Sequence, residues 1–435
     1  MRTMRRRLLA FAAILGLLAA AAFLAACGKQ EPPQLFLYFF SHSSPDQPGL
    51  YVVSGDGSGL RQLALLGIEE LPSPPVPSPD GKRLAFPCRS DQALTGPPTD
   101  VCLSEANGSD VQIATQGKLP PSSIVSGEIA WAPDSRLLAF VTDLYADQTF
   151  TAFGELYLLD AGEEQLRLLL PGTPGLQRGA IAWAPDGGRL AVPSTPPPGS
   201  ETALEVVDVE DGARLDVAEQ TEGLGTISDF AWSPDGSALA FVRTVWRSPF
   251  PSGVDGAQLY SVGPDGSGLR LLPDLGDWPL KAVWSPDGRF LAVTARPVGG
   301  GFASLYVVPL NGGDPLRLGP NLLISDFPAW SPDSNRLAFL GAKSLPETSN
   351  FPTYALYVAN AEGGEPQQLA QKVQPPPLIT WSPDGETLFY TADSGSCVQA
   401  CAGPLFLVPA DGSVPPVQVT DFTVDAFVGW HPEER

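Results

Sequence analysis

The sequence predicts an all-β chain built from repeated four-stranded antiparallel units, and three observations carry that prediction. A Pro-Asp turn between apolar strands recurs seven times, with Asp80, Asp134, Asp186, Asp235, Asp287, Asp333 and Asp384 as its aspartates, at spacings of 46 to 54 residues. Seven of the nine tryptophans occupy one slot of that repeat: Trp131, Trp183, Trp232, Trp284, Trp330, Trp381 and Trp430. The 47 prolines and 45 glycines are spread along the 435 residues, as many short strands joined by turns require.

Each unit can be read strand by strand. A short apolar strand ends at the tryptophan slot and is followed by Ser-Pro-Asp-Gly or a close variant. Proline presets the first turn position, aspartate suits the second and glycine accepts positive φ, so the turn joins two antiparallel strands tightly. Two copies carry Ser135 and Ser334 in the glycine position, a mild departure. The second strand alternates, as in Arg83-Leu84-Ala85-Phe86. After a variable loop comes a third, such as Leu156-Tyr157-Leu158-Leu159 or Leu259-Tyr260-Ser261-Val262. A glycine-rich turn such as Asp265-Gly266-Ser267-Gly268 leads to the fourth. A period near 50 residues with four strands per unit is that of a β-propeller blade, and a ring of blades hides nearly all sheet edges. The regularity of the tryptophans places them between blades as core.

The chain ends complete the ring. LFLYFF from Leu35 and GLYVVSGDGSGLRQL from Gly49 resemble strands two to four of a blade without its first, and AFVGWHP from Ala426 resembles a first strand alone. One composite blade plus seven internal ones predicts a single propeller of eight blades, closed by pairing the terminal strands. Seven blades is the alternative, if the N-terminal strands form an irregular extension.

The W-S-P-D-G repeat, best preserved at Trp232, Trp284 and Trp381, resembles the TolB-type propeller repeat, a relative of the WD-like repeats, over residues 35–435. TolB carries a separate α/β domain before its propeller that nothing here matches. The resemblance therefore implies the fold and not the TolB role.

Before the repeats, Arg2, Arg5, Arg6 and Arg7 precede an apolar run from Leu8 to Ala26, the layout of a secretory signal. An uncleaved membrane helix is the rival reading. Leu24-Ala25-Ala26-Cys27 resembles the bacterial lipoprotein box, which implies a signal peptide over 1–26 and a Cys27 carrying acyl chains such as palmitate. Residues 27–34 are then a short tether, and the expected location is extracytoplasmic, anchored to a bacterial membrane at the periplasmic side or cell surface. Cys88, Cys102, Cys397 and Cys401 form two local pairs, which in an exported chain favours disulfides over metal sites.

The formal net charge of −22 makes nucleic-acid binding improbable. The loops between second and third strands are long and dissimilar, among them 87–99, 142–154 and 243–256, and variation on one face of a rigid ring makes a binding surface. Trp246 and Trp278, outside the slot, together with Tyr145, Phe150, Phe153, Phe250, Phe302 and Phe351, fall on that face by topology, either as anchors for a ligand or as caps on their own loops. Glu128, Asp229, Lys281 and Asp326 precede the innermost strands and make the channel mouth polar. No Gly-x-Ser-x-Gly elbow is present, D-x-D-x-D-G calcium spacing is absent, and His42 and His431 are the two histidines of the chain. These observations predict no cofactor, no metal and no enzyme. They lead to the expectation of a monomeric lipoprotein scaffold for a protein or peptide, with a glycan or cell-wall module as second reading and a peptidase or lyase as third.

Overall fold

The computed structural model describes residues 35–432 except 42–48, 65–74, 90–96, 107–108, 147–148, 196–201, 219–224, 247–253, 326–327, 346–351, 374–377, 393–402 and 425. The described residues form 34 strands and no helix. They group into eight antiparallel sheets arranged as an eight-bladed propeller, and the seven-bladed alternative falls. The composite blade runs Ala426–Pro432, Leu35–Ser41, Gly49–Ser54, Arg61–Ala64, with Leu37 opposite Trp430. The inner strands of the seven others are Val76–Pro77, Ser123–Trp131, the split pair Gln177–Arg178 and Ala182–Trp183, Gly225–Trp232, Asp277–Trp284, the split pair Leu323–Ile324 and Ala329–Trp330, and Ile379–Trp381. We number these blades one to seven, with the composite blade eighth.

The turn sequence explains itself in the fourth blade. Ser233 Oγ donates to Asp235 Oδ1 at 2.6 Å, the Ser237 amide donates to the same oxygen at 3.0 Å, and the Ala238 amide donates to Ser233 Oγ at 3.0 Å. Gly236 takes φ 70°, which glycine adopts without strain. These bonds favour the ionised carboxylate. The Ser233 hydroxyl, then the Ser237 amide, holds Asp235 at about 2, and the matching turn carboxylates Asp80, Asp186, Asp287, Asp333 and Asp384 also lie below the ordinary value. A carboxyl depressed in the folded state contributes stability that is present above its unfolded pKa and lost as pH falls through the folded one. Urea unfolding is therefore expected to show stability dropping between about pH 4 and about pH 2, with Asp235→Asn dropping less steeply. An identical slope in the variant would rule Asp235 out as a contributor.

Tryptophan joins one blade to the next. Each indole N–H donates to the backbone carbonyl just before the slot of the preceding blade: Trp131 to Val76, Trp183 to Ala130, Trp232 to Ala182, Trp284 to Ala231, Trp330 to Val283 and Trp381 to Ala329, all at 2.9–3.0 Å. Trp430 reaches Thr380 Oγ1 at 3.3 Å instead. The first blade has Pro77 in its slot, so no indole crosses from it to the eighth. That seam is held by apolar packing of Phe36, Tyr38, Leu50 and Val52 on Leu84 and Phe86.

The two serines in glycine positions have a use that the sequence did not show. Ser135 and Ser334 both adopt φ 62° and accept, through their hydroxyls, the amides of Asp80 at 2.9 Å and Asp287 at 3.0 Å in the preceding blade. Ser135→Ala keeps the left-handed backbone penalty and loses the bond. It is expected to cost about 0.5–1.5 kcal/mol, whereas Ser135→Gly trades the bond for relief of strain and stays within about 0.5 kcal/mol. Thermal unfolding of the pair checks the order, and equal losses would refute it.

A second slot lies on the third strand of each blade. Its occupants are Tyr157, Tyr260, Tyr306 and Tyr357, with Tyr51 in the composite blade and Phe406 in the seventh. In five blades the ring pairs face to face with an aromatic residue across the strands: Phe39–Tyr51, Phe140–Tyr157, Phe241–Tyr260, Phe339–Tyr357 and Tyr390–Phe406 stack with centroids 5.2–6.0 Å apart. Two blades depart. The first carries Cys102 opposite Phe86, disulfide-bonded to Cys88 with Cα atoms 5.7 Å apart. The third carries Glu205 opposite Val192.

The loops expected at 142–154 and 243–256 are largely strand. Leu137–Ala146 and Thr149–Asp160 keep pairing out to Thr149 opposite Ala146, and Leu239–Trp246 pairs with Val254–Val262 out to Trp246 opposite Val254. Two projecting hairpins thus stand where sequence reading placed irregular loops.

Candidate functional site

Backbone irregularity in the inner strands builds the mouth. The pairing slips between Val125 and Ile129, between Ile227 and Asp229, and between Pro279 and Lys281. A bulge leaves residues unpaired and re-aims the side chains around it; these slips skip 126–128, Ser228 and Leu280, so Glu128 lies in one and Asp229 and Lys281 directly follow the other two, each three residues before its tryptophan slot. In the third blade the inner strand is broken at 179–181. The result is an open pocket of about 670 Å³ between the second, third and fourth blades, lined among others by Ser126, Glu128, Asp143, Arg178, Ser228 and Asp229.

Two carboxylates of the mouth tie blades together. Asp229 Oδ2 accepts the Ala282 amide at 2.7 Å and Glu128 Oε2 accepts the Ile181 amide at 3.4 Å, each crossing to the next blade. Burial pushes the Asp229 carboxyl up, against the opposing pull of the Ala282 amide and the Lys281 charge. A partly buried carboxyl with a raised pKa in a cleft is suited to proton transfer.

Arg178 forms the third wall. Its side chain is 1% exposed, and burial pushes the guanidinium down while the Glu205 charge opposes that. Nε donates to Ser194 Oγ at 3.2 Å, and Nη1 donates to the Gly154 carbonyl and to the Pro171 carbonyl at 3.2 Å. Glu205 Oε2 lies 3.6 Å from Nε and accepts the Ser194 hydroxyl, and its Oε1 accepts Arg214 Nη1 at 3.0 Å. Sequence reading missed both Arg178 and Glu205. The signal was available: Glu205 stands in the aromatic slot, and Arg178 stands five residues before Trp183, where Ser126, Ile227, Pro279 and Ser325 hold the same place in other blades.

The other predicted residues do not converge on this pocket. Lys281 is exposed and bears on Asp229 through its charge, but Asp326 lies outside the described residues. The predicted aromatic face is not the pocket, whose one aromatic lining residue is Phe230. Trp278 is half-buried opposite Arg296, and its Nε1 would lie 3.8 Å from a Cβ added at Gly256, so it packs on the hairpin of the fourth blade. Phe302 is half-buried. Trp246, Tyr145, Phe150 and Phe153 lie in strands, with side chains outside the description, and Phe250 and Phe351 lie outside the described residues altogether. So do Cys27, His42, Cys397 and Cys401, while His431 sits opposite Phe36 in the composite blade. Among the described residues no group of three or more His, Cys, Asp or Glu is placed to hold a metal ion. A second pocket of about 550 Å³, lined by Gln371, Lys372, Tyr390 and Phe406 among others, has no carboxylate in its wall.

No family model matches the chain. An uncharacterized peptidase, YuxL, of Bacillus subtilis (strain 168) is 29% identical over 164 aligned positions, which cover 30% of this chain and 24% of that protein. Prolyl oligopeptidase B from Galerina marginata shares 14% identity at TM-score 0.52, covering 82% of this chain and 56% of that one. An oligogalacturonate lyase from Vibrio parahaemolyticus shares 16% identity at TM-score 0.50, covering 87% and 98%. TolB from Acinetobacter baumannii is also similar, with 16% identity and TM-score 0.38 over 75% and 78%. This chain thus spans about a quarter of the peptidase it matches in sequence and little over half of prolyl oligopeptidase B.

These matches correct the expectation of a non-enzymatic binding scaffold. One curated sequence relative is described as an uncharacterized peptidase, and the ring fold is shared with an oligopeptidase and a lyase. The absence of an elbow motif argued against one hydrolase mechanism, and it was wrongly extended to catalysis as such.

Proposed function

We propose that this propeller serves a peptide-processing activity and that the mouth pocket is where the peptide is held. The observation that carries the reading is the sequence match to a peptidase. The pocket supports it: about 670 Å³ accommodates a few residues of peptide, and its lining presents both charge signs, Arg178 with Glu128, Asp143 and Asp229. In this reading Asp229, its pKa raised by burial, moves a proton at the held peptide. Cleavage of a quenched fluorogenic peptide library by the purified chain tests it, with Asp229→Asn alongside. The expected result is turnover that the variant lowers by about 100-fold, within the range ascribed to a positioned acid or base. Neither binding nor cleavage of any peptide, with turnover of oligogalacturonides instead, would sink the reading.

The propeller in this proposal is extracytoplasmic, carried at a membrane by acyl chains on Cys27 after removal of residues 1–26. Two or three chains anchor stably, at about 0.8 kcal/mol per buried methylene. Expressed in a bacterial host with labelled palmitate, the full chain should take up label and Cys27→Ala should not. Equal labelling of both would remove Cys27 from the anchor.

A further inference from the structure

The third blade departs from its neighbours in a way the fold does not require. The slot that holds tyrosine or phenylalanine in six blades holds Glu205, and Glu205 is paired with a buried arginine. An aromatic ring fills that position in six blades and Cys102 in the first, so the fold accepts apolar groups there. Replacing a buried ion pair by apolar side chains of similar volume is often neutral or stabilising, so stability alone gives no reason for the exchange.

What the pair does provide is a fixed positive charge at a pocket wall. Two guanidinium groups, Arg178 and Arg214, share the one carboxylate of Glu205. Glu205 therefore does not belong to Arg178 alone. Three bonds fix the guanidinium plane: Nε to Ser194 Oγ, and Nη1 to the Gly154 and Pro171 carbonyls. Nη2 makes no hydrogen bond among the described residues, and Arg178 lines the pocket. An arginine 1% exposed, held rigidly and offering an N–H edge to a cavity, is an anion site with its ordering cost already met by the fold.

We propose that Arg178 binds the carboxylate of the ligand in the mouth pocket, and that the ligand is a short peptide with a free C-terminus. This rests on the peptide reading above and names the end that is recognised. The rest of the lining agrees with it: Glu128 and Asp229 repel a simple dianion but suit a zwitterion, whose ammonium they attract while its carboxylate meets Arg178.

The test uses the unaltered protein. A tripeptide library with free C-termini and the same library amidated are passed over the immobilised full chain at equal load, and the retained fractions are weighed by mass spectrometry. A charge-assisted bond from a buried guanidinium predicts retention of the free acids by about 10-fold or more over the amides. Equal retention of acids and amides overturns the carboxylate assignment while leaving peptide binding at the mouth intact. Retention of neither overturns both. Arg178→Lys, checked for folding by its thermal transition, keeps the charge and loses the planar edge, and it is expected to lose the acid-over-amide preference. An undiminished preference in that folded variant assigns the carboxylate elsewhere and overturns the proposal.

Discussion

Trp232→Ala is expected to lower the unfolding free energy by about 3–5 kcal/mol, as measured by urea denaturation. The indole is 8% exposed and packs on Ala184, Leu239 and Phe241. Its N–H donates to the Ala182 carbonyl at 3.0 Å, and the Arg189 guanidinium lies 5.5 Å above the ring. Removal of the side chain opens a cavity between two blades and also strands that carbonyl. Trp232→Phe separates the two effects. It keeps most of the apolar packing and loses the donor, for an expected cost of about 1–3 kcal/mol. Trp278→Ala provides the contrast, since that ring is half-buried, lies outside the slot and closes no link of the indole ring. If Trp232→Phe matched wild type, the indole bond would have no part in joining blades and packing alone would carry the interface.

That contrast also shows what the sequence could disclose. Trp232, Ser233 and Asp235 recur in register because one local geometry is needed at each blade, so the ring and its closure were readable from repetition. Ser135 and Ser334 were visible as exceptions, but their partners, the amides of Asp80 and Asp287, lie a whole blade away and no local pattern points to them. Arg178 and Glu205 are the same case with larger consequence. Each reads alone as an ordinary surface charge, and their meeting depends on the inner strand of the third blade breaking at 179–181 and on Glu205 facing inward from the third strand. The aromatic residues of the variable face were readable from topology only as two alternatives, anchors for a ligand or caps on their own loops. Trp278 is half-buried against the neighbouring hairpin, whose strands extend further than turn chemistry alone indicates.

Loss of the Cys88–Cys102 disulfide is expected to cost about 3 kcal/mol and to loosen one place in the ring. The bond closes 14 residues of chain, and a loop of that size constrains the unfolded state by roughly that amount. Both cysteines belong to the apolar cluster at the seam between the first and eighth blades, where Pro77 supplies no indole. Cys102 stands in the slot filled by an aromatic ring in six other blades, so at this position the covalent link takes the place of a stacking pair. The double variant Cys88→Ala/Cys102→Ala should therefore lose amide-exchange protection at Leu50–Val52 and Leu84–Phe86 more than at Phe241–Val242, which sit three indole links from the nearest blade of that seam. Fraying at the seam opens a blade interface that no indole bond spans, whereas each of the interfaces from the first blade to the seventh has one. Uniform loss of protection across all blades would show instead that the disulfide acts only through the global unfolding equilibrium.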